Sequence, residues 1–383
     1  MAQAIISRRG GGSGYATITF NGVSDLKKTD VAGLIAIRTY LAATTVGNYA
    51  LFGGGTNYHH STASEKYFTT VEAYNTSLTR TIPTALSQAR EELAATTVGN
   101  YALFGGGYNG GSLATVDAYD TSLTRTNPTA LSQARNNSAA TTVGSYALFG
   151  GGESSSTVNA YNTSLTRTTP TALSQARGIL AATTVGNYAL FGGGYNSGSL
   201  ATVDAYDTSL TRSTPTTLSQ ARYYLAATTV GNYALFGGGY NSGSLATVDA
   251  YDTSLTRSTP TTLSQARSSL AATTVGNYAL FGGGDFPSSS TVDAYNTSLT
   301  RSIPKPLSSP MNHLAATTVG DYALFGGGTN VNAYYVNNKV QVYPGTIYKL
   351  GSMSSESTSS TMQEIETTAP ITGYIKIKDA TIN

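Results

Sequence analysis

Few side chains in this sequence suit bond-breaking chemistry. Its 383 residues include three histidines, His59, His60 and His313, and no cysteine. Disulfides and thiolate metal sites are therefore excluded, and three histidines leave little for a metal site or for a nucleophile–histidine–acid set. Glu91 and Glu92 could imitate a glycosidase pair, but neighbours on a strand point to opposite faces. The repeated Gly-Gly-Gly would cradle a phosphate only if a helix followed it, and none is expected. We expect no cofactor, no metal and no enzymatic activity. What remains is a set of side chains suited to binding, and the repeats decide where they lie.

Seven near-copies of one phrase run through the chain, the cleanest being Leu-Ala-Ala-Thr-Thr-Val-Gly-Asn-Tyr-Ala-Leu-Phe-Gly-Gly-Gly at 180–194. The phenylalanine falls at Phe52, Phe104, Phe149, Phe191, Phe236, Phe281 and Phe325, in steps of 52, 45, 42, 45, 45 and 44 residues. A period of about 40–50 residues marks a solenoid or a propeller. Each copy holds four short β-prone runs, in the fourth at 181–185, 188–193, 202–206 and 210–213, separated by Gly, Asn, Asp and Ser turn residues. One such sheet cannot bury both faces, whereas a closed ring of seven can. The expected fold class is all-β: a seven-bladed β-propeller of four-stranded antiparallel blades.

The unit resembles a kelch repeat: an aromatic strand ending in Gly-Gly (233–239), then Val-Asp-Ala-Tyr-Asp (248–252), Pro260 and Arg267. The resemblance spans residues 38–343 and implies a kelch-like propeller that uses one loop face for ligands. Kelch fourth strands usually carry Trp, which this chain lacks, so blade packing must rest on Phe, Leu and Tyr. No extra strand is obviously set aside to complete a blade, and 331–343 reads as a hairpin. Residues 1–14 read as an anchoring arm with a Gly linker, 15–37 and 344–383 as two parts of a terminal β module. Within the module, strands are expected at 15–20, 33–38, 346–350 and 371–378, with a Ser/Thr loop at 352–361.

The copies differ in two places. One is the loop after Gly-Gly-Gly, with Tyr58 and His59, Tyr108, Tyr195, Tyr240 and Phe286 in different copies. The other is a pair of residues before the next copy: Thr39-Tyr40, Glu91-Glu92, Asn136-Asn137, Gly178-Ile179, Tyr223-Tyr224, Ser268-Ser269 and Asn312-His313. In an up-down blade the second-to-third and fourth-to-first loops share one face, so both sites crowd one mouth of the central channel. Tyr, Ser, Asn and Gly are the composition of adaptable recognition surfaces, although ordinary surface turns favour the same small residues. The two other turns, Val-Gly-Asn and Asn/Asp-Thr-Ser, hardly change and belong on the opposite face. Arg38, Arg90, Arg135, Arg177, Arg222 and Arg267 stand beside the pairs. They suit either a ring for an anionic ligand or internal pairing with Glu72, Asp117, Asp204, Asp249 and Asp293, and the recurrence of those carboxylates favours pairing.

Only 11% of residues are charged, with a net charge of +2, which argues against nucleic-acid binding. No apolar run is long enough for a membrane span, and no ordinary export signal is expected. The Met-Ala-Gln-Ala-Ile-Ile-Ser-Arg-Arg-Gly-Gly-Gly start and the Thr-Gly-Tyr-Ile-Lys-Ile-Lys end resemble termini of small virion-associated proteins of Gram-positive phages or prophages. That resemblance implies a virion protein in the particle surface or tail, concerned with host attachment. Its partners would be a host-surface glycan or protein, and other virion proteins through the arm and terminal module. The alternatives are an intracellular, cytoplasmic kelch adaptor and a carbohydrate-active enzyme.

Overall fold

A computed structural model describes residues 3–7, 17–21, 25–57, 67–153, 155–337, 340–342 and 363–365. It has two compact units, 28–335 and a second formed by 1–27 with 336–383. In the larger unit every Ala-Ala-Thr-Thr-Val run is a first strand, every Tyr-Ala-Leu-Phe-Gly run a second, and a third and a short fourth follow in antiparallel order. No described residue is helical. The first strands meet their neighbours around a closed circle, the seventh touching the first. The chain is a seven-bladed β-propeller.

The absence of Trp is answered by a Phe–Gly joint. Each second-strand Phe is fully buried and lies against the first glycine of the preceding blade's triplet. A Cβ on Gly192 would stand 2.7 Å from Cε1 of Phe236, and one on Gly326 equally close to Phe52, which carries the joint across the closure. The glycine is needed there for close approach. The next two glycines of the triplet are needed for their backbone, since Gly193 and Gly194 have φ of +68° and +113°. A buried third-strand Tyr meets each Phe edge-on, as Tyr206 does Phe191 at 5.9 Å. Its hydroxyl donates to a carbonyl of the connection arriving from the previous blade, Thr171 in that case.

The first strands line the axis with threonine. Their hydroxyls pair from blade to blade, Thr44 with Thr97, Thr96 with Thr142, and onward to Thr317 with Thr45, at 2.8–3.0 Å. The second threonine of each strand also donates to a carbonyl of the preceding blade, as Thr97 does to Thr45. The polar lining of this cavity of about 400 Å³ is thus satisfied within itself.

Closure differs from the sequence expectation. The fourth strand of the seventh blade is Asp25–Asp30, supplied from before the first blade. Asn330–Asn337 is that blade's third strand, so the expected hairpin at 331–343 does not complete it. Residues 33–38 form no strand but the connection that follows a fourth strand, with the amide of Ile35 donating to Glu72 as that of Ser87 does to Asp117. In the second unit Gln3–Ser7 pairs with Thr17–Asn21, and Val340–Val342 with Gln363–Ile365. The strands expected at 346–350 and 371–378 and the loop at 352–361 lie outside the described residues.

Candidate functional site at the axial mouth

The two variable places meet. The first residue of a variable pair forms an isolated antiparallel bridge with the first residue of the variable loop in its own blade: Thr39 with Thr56, Glu91 with Tyr108, Gly178 with Tyr195, Tyr223 with Tyr240, Ser268 with Asp285. In the third blade the Glu153 amide donates to the Asn136 carbonyl at 3.2 Å. The second residues line one axial cavity of about 190 Å³, with a collar of leucines and Ser138 beneath them.

These second residues are linked head to tail. The amide of Glu92 donates to the carbonyl of Tyr40, Asn137 to Glu92, Ile179 to Asn137, Tyr224 to Ile179, Ser269 to Tyr224, His313 to Ser269 and Tyr40 to His313, at 2.9–3.3 Å. The circle needs a left-handed backbone, and every member has φ between +46° and +56° although none is glycine. That conformation is uncommon for most residues and least natural for the β-branched Ile179. Because the circle is closed by main chain alone, it needs no particular side chain above it. Glu91 and Glu92 accordingly do not sit on a regular strand, and the opposite-face argument does not describe them.

The side chains divide the mouth. One arc is aromatic: Tyr40 stacks on His313 at 3.9 Å, and Tyr224 meets His313 edge-on at 5.7 Å across the small Ser269. Tyr223 continues it outward, 5.2 Å from Tyr224, 5.1 Å from Tyr195 and 5.6 Å from Tyr240, which in turn lies 6.2 Å from Phe286. The other arc is polar and acidic at Glu92 and Asn137 and apolar at Ile179. One carboxylate oxygen of Glu92 accepts from the side-chain amides of Asn136 at 2.6 Å and Asn137 at 2.9 Å. Burial, reinforced by Glu92, pushes the Glu91 carboxyl up to about 7. Burial also raises the Tyr40 and Tyr224 phenols, and the nearby carboxylate of Glu92 adds to both shifts.

The arginine ring is not a surface for anions. Arg38, Arg90, Arg135, Arg177, Arg222 and Arg267 are 0–1% exposed. Arg90 reaches Asp117 at 2.6 Å, Arg177 Asp204 at 2.7 Å, Arg222 Asp249 at 2.7 Å and Arg267 Asp293 at 2.5 Å, while Arg38 pairs with Glu72. Each of those four also donates to the carbonyl of its blade's Phe. In the third blade Asn159 takes the carboxylate's place at 2.8 Å from Arg135, and burial lowers that guanidinium to about 10. In the seventh, Met311 and Asn332 replace both partners. The anionic-ligand reading of these six residues therefore gives way to internal pairing.

Of the expected face residues, Tyr58 and His59 lie outside the described residues. Asn136, Ser268 and Ser269 are buried, Asn312 is partly buried, and the remainder line the mouth or its rim. Two features were not anticipated. The left-handed circle has no signature in the residue types. The aromatic arc does: set in ring order, Tyr195, Tyr223, Tyr224, Tyr240 and Phe286 fall in three successive blades, and the seventh blade's His313 comes beside the first blade's Tyr40.

No family model matches the chain, and no curated protein sequence matches it. Many solved structures resemble it. One, titled "Structure of YjhT", has a TM-score of 0.57 and 10% sequence identity, with 72% of this chain and 99% of that chain covered. At that identity the likeness shows the fold alone.

Proposed function

We propose that this chain is a non-enzymatic binding propeller on a phage particle, recognising a host-surface glycan or protein through the loop face at the axial mouth. One observation carries the reading: nearly identical repeats differ where a self-sufficient main-chain circle holds side chains out toward the axis. Aromatic rings there supply contact area at low entropy cost, and Asn and Glu supply directional hydrogen bonds. A rigid frame carrying variable loops is a common arrangement for recognition. The particle setting is supported by the likeness of both termini to those of virion-associated proteins, and labelling intact particles with an antibody to this chain tests it. The binding face is tested on a glycan array with Tyr223→Ala, Tyr224→Ala. The double variant should lose at least about tenfold in affinity, the order expected for removing aromatic anchors, and unchanged binding would sink the reading. A second reading, a kelch-like adaptor inside cells, is favoured by Phe286, which is 67% exposed at the end of the aromatic arc and would suit a protein partner.

A further inference from the structure

We infer that the axial mouth is built for a positively charged group, and that the glycan it takes carries a free amine. The inference rests on the proposed binding role and specifies its chemistry. The Tyr224, His313 and Tyr40 rings lie along one side of the mouth, with Ser269 between the first two, and Glu92 follows Tyr40 in the circle. Aromatic faces attract a cation through the ring quadrupole, and an adjacent carboxylate adds a direct charge partner. Glu92 is held for that task, since two asparagine amides fix one of its oxygens and position the carboxylate.

The charges around the cavity agree. Glu92, Glu153 and Asp285 are all on this face, and Tyr40 or Tyr224 senses each of them, its phenol being raised, while the Glu91 carboxyl, held up to about 7, adds part of a charge. The six arginines behind the mouth are buried and committed to the blades, so none is presented to an incoming anion. An anionic sugar is therefore disfavoured, and a neutral one would leave the carboxylate's charge without a counter-charge. Below the rings, the leucine collar is interrupted once, in the third blade, by Ser138. Its hydroxyl is buried and lacks a hydrogen-bond partner.

The test is calorimetry with the full chain against two ligand series that differ in one group: glucosamine oligosaccharides and their N-acetylated counterparts. Acetylation removes the charge and keeps the sugar. Binding should favour the free amine by about tenfold or more, and rising salt should shrink the preference. Glu92→Gln keeps an oxygen for the asparagine amides and should abolish most of the preference. Equal or tighter binding of the N-acetylated series overturns the inference, as does a preference unaffected by Glu92→Gln. Binding confined to lysine-rich peptides overturns its glycan part. Because the ligand comparison is made on the unaltered chain, a poorly folding variant does not decide it. A neutral or anionic glycan bound through Tyr223 and Tyr224 would remove this inference while leaving the proposed binding role standing.

Discussion

The two faces of the disc are held together by different means. On the constant face neighbouring blades touch through side chains. The Val-Gly-Asn turn of one blade lies against the Asn/Asp-Thr-Ser turn of the next, so that a Cβ on Gly186 would stand 3.2 Å from Cγ2 of Thr253. Inside the second turn the Asp252 carboxylate accepts from the amides of Ser254 and Thr256 at 2.9 Å each. Changing either turn disturbs its neighbour. On the variable face the ties common to all blades are amide to carbonyl, including each triplet's last glycine to the following arginine, or to Met311 in the sixth blade, as Gly194 to Arg222 at 2.9 Å. Side-chain contacts there, such as Tyr40 on His313 or Glu92 with Asn136 and Asn137, differ from joint to joint, and there the copies diverge. Sequence freedom follows the kind of bond between blades as well as exposure to solvent.

Substitutions that break the frame should cost most. Asp204→Ala strands the buried Arg177 and should destabilise by ~3–5 kcal/mol in denaturant titration. The Tyr223→Ala, Tyr224→Ala pair should leave the melting curve almost in place, and an equal loss in both variants would erase the contrast. Gly192→Ala forces a methyl onto Phe236 and should cost ~1–3 kcal/mol. Ile179→Gly relieves a β-branched residue of a left-handed backbone and should stabilise by about 1 kcal/mol after the entropy of glycine is counted. A loss there would mean that its side chain, not the main-chain circle, holds the mouth.

The smallest effect concerns pH. The Glu91 carboxyl is raised to about 7 in the folded chain, above its usual value, so the fold binds its proton more tightly than the unfolded chain does. That contribution is present at acid pH and is lost as pH rises toward and through 7. Glu91→Gln should therefore raise the melting temperature slightly at pH 8 and not at pH 4, and the reverse order would contradict the burial assigned to it.

Fold and face were legible because seven copies serve as each other's controls: Phe and Gly stay fixed where blades join through side chains, and the pairs change where they join through main chain. The closing strand was hidden by its position in the chain. Lys28 and Thr29 precede Leu34 and Arg38 at the spacing with which Arg80 and Thr81 precede Leu86 and Arg90. Residues 28–38 are thus the tail of the seventh repeat displaced to the front, legible only once that register is tried. The arginine ring was ambiguous because a cation beside variable residues looks the same in sequence whether it faces solvent or a buried carboxylate. Burial decides between the two, and a one-dimensional pattern does not carry it.

The origin of that closing strand has a consequence for biosynthesis. Asp25–Asp30 leaves the ribosome ahead of all seven first strands, and its partner Asn330–Asn337 emerges only after them. Until then its edge is bare, and a bare edge pairs with whatever strand is nearest. Two chains growing on one messenger each carry the segment the other is waiting for. An exchanged pair would satisfy the same ladder as a single ring, so the seventh blade is where two chains would join if either failed to close on itself.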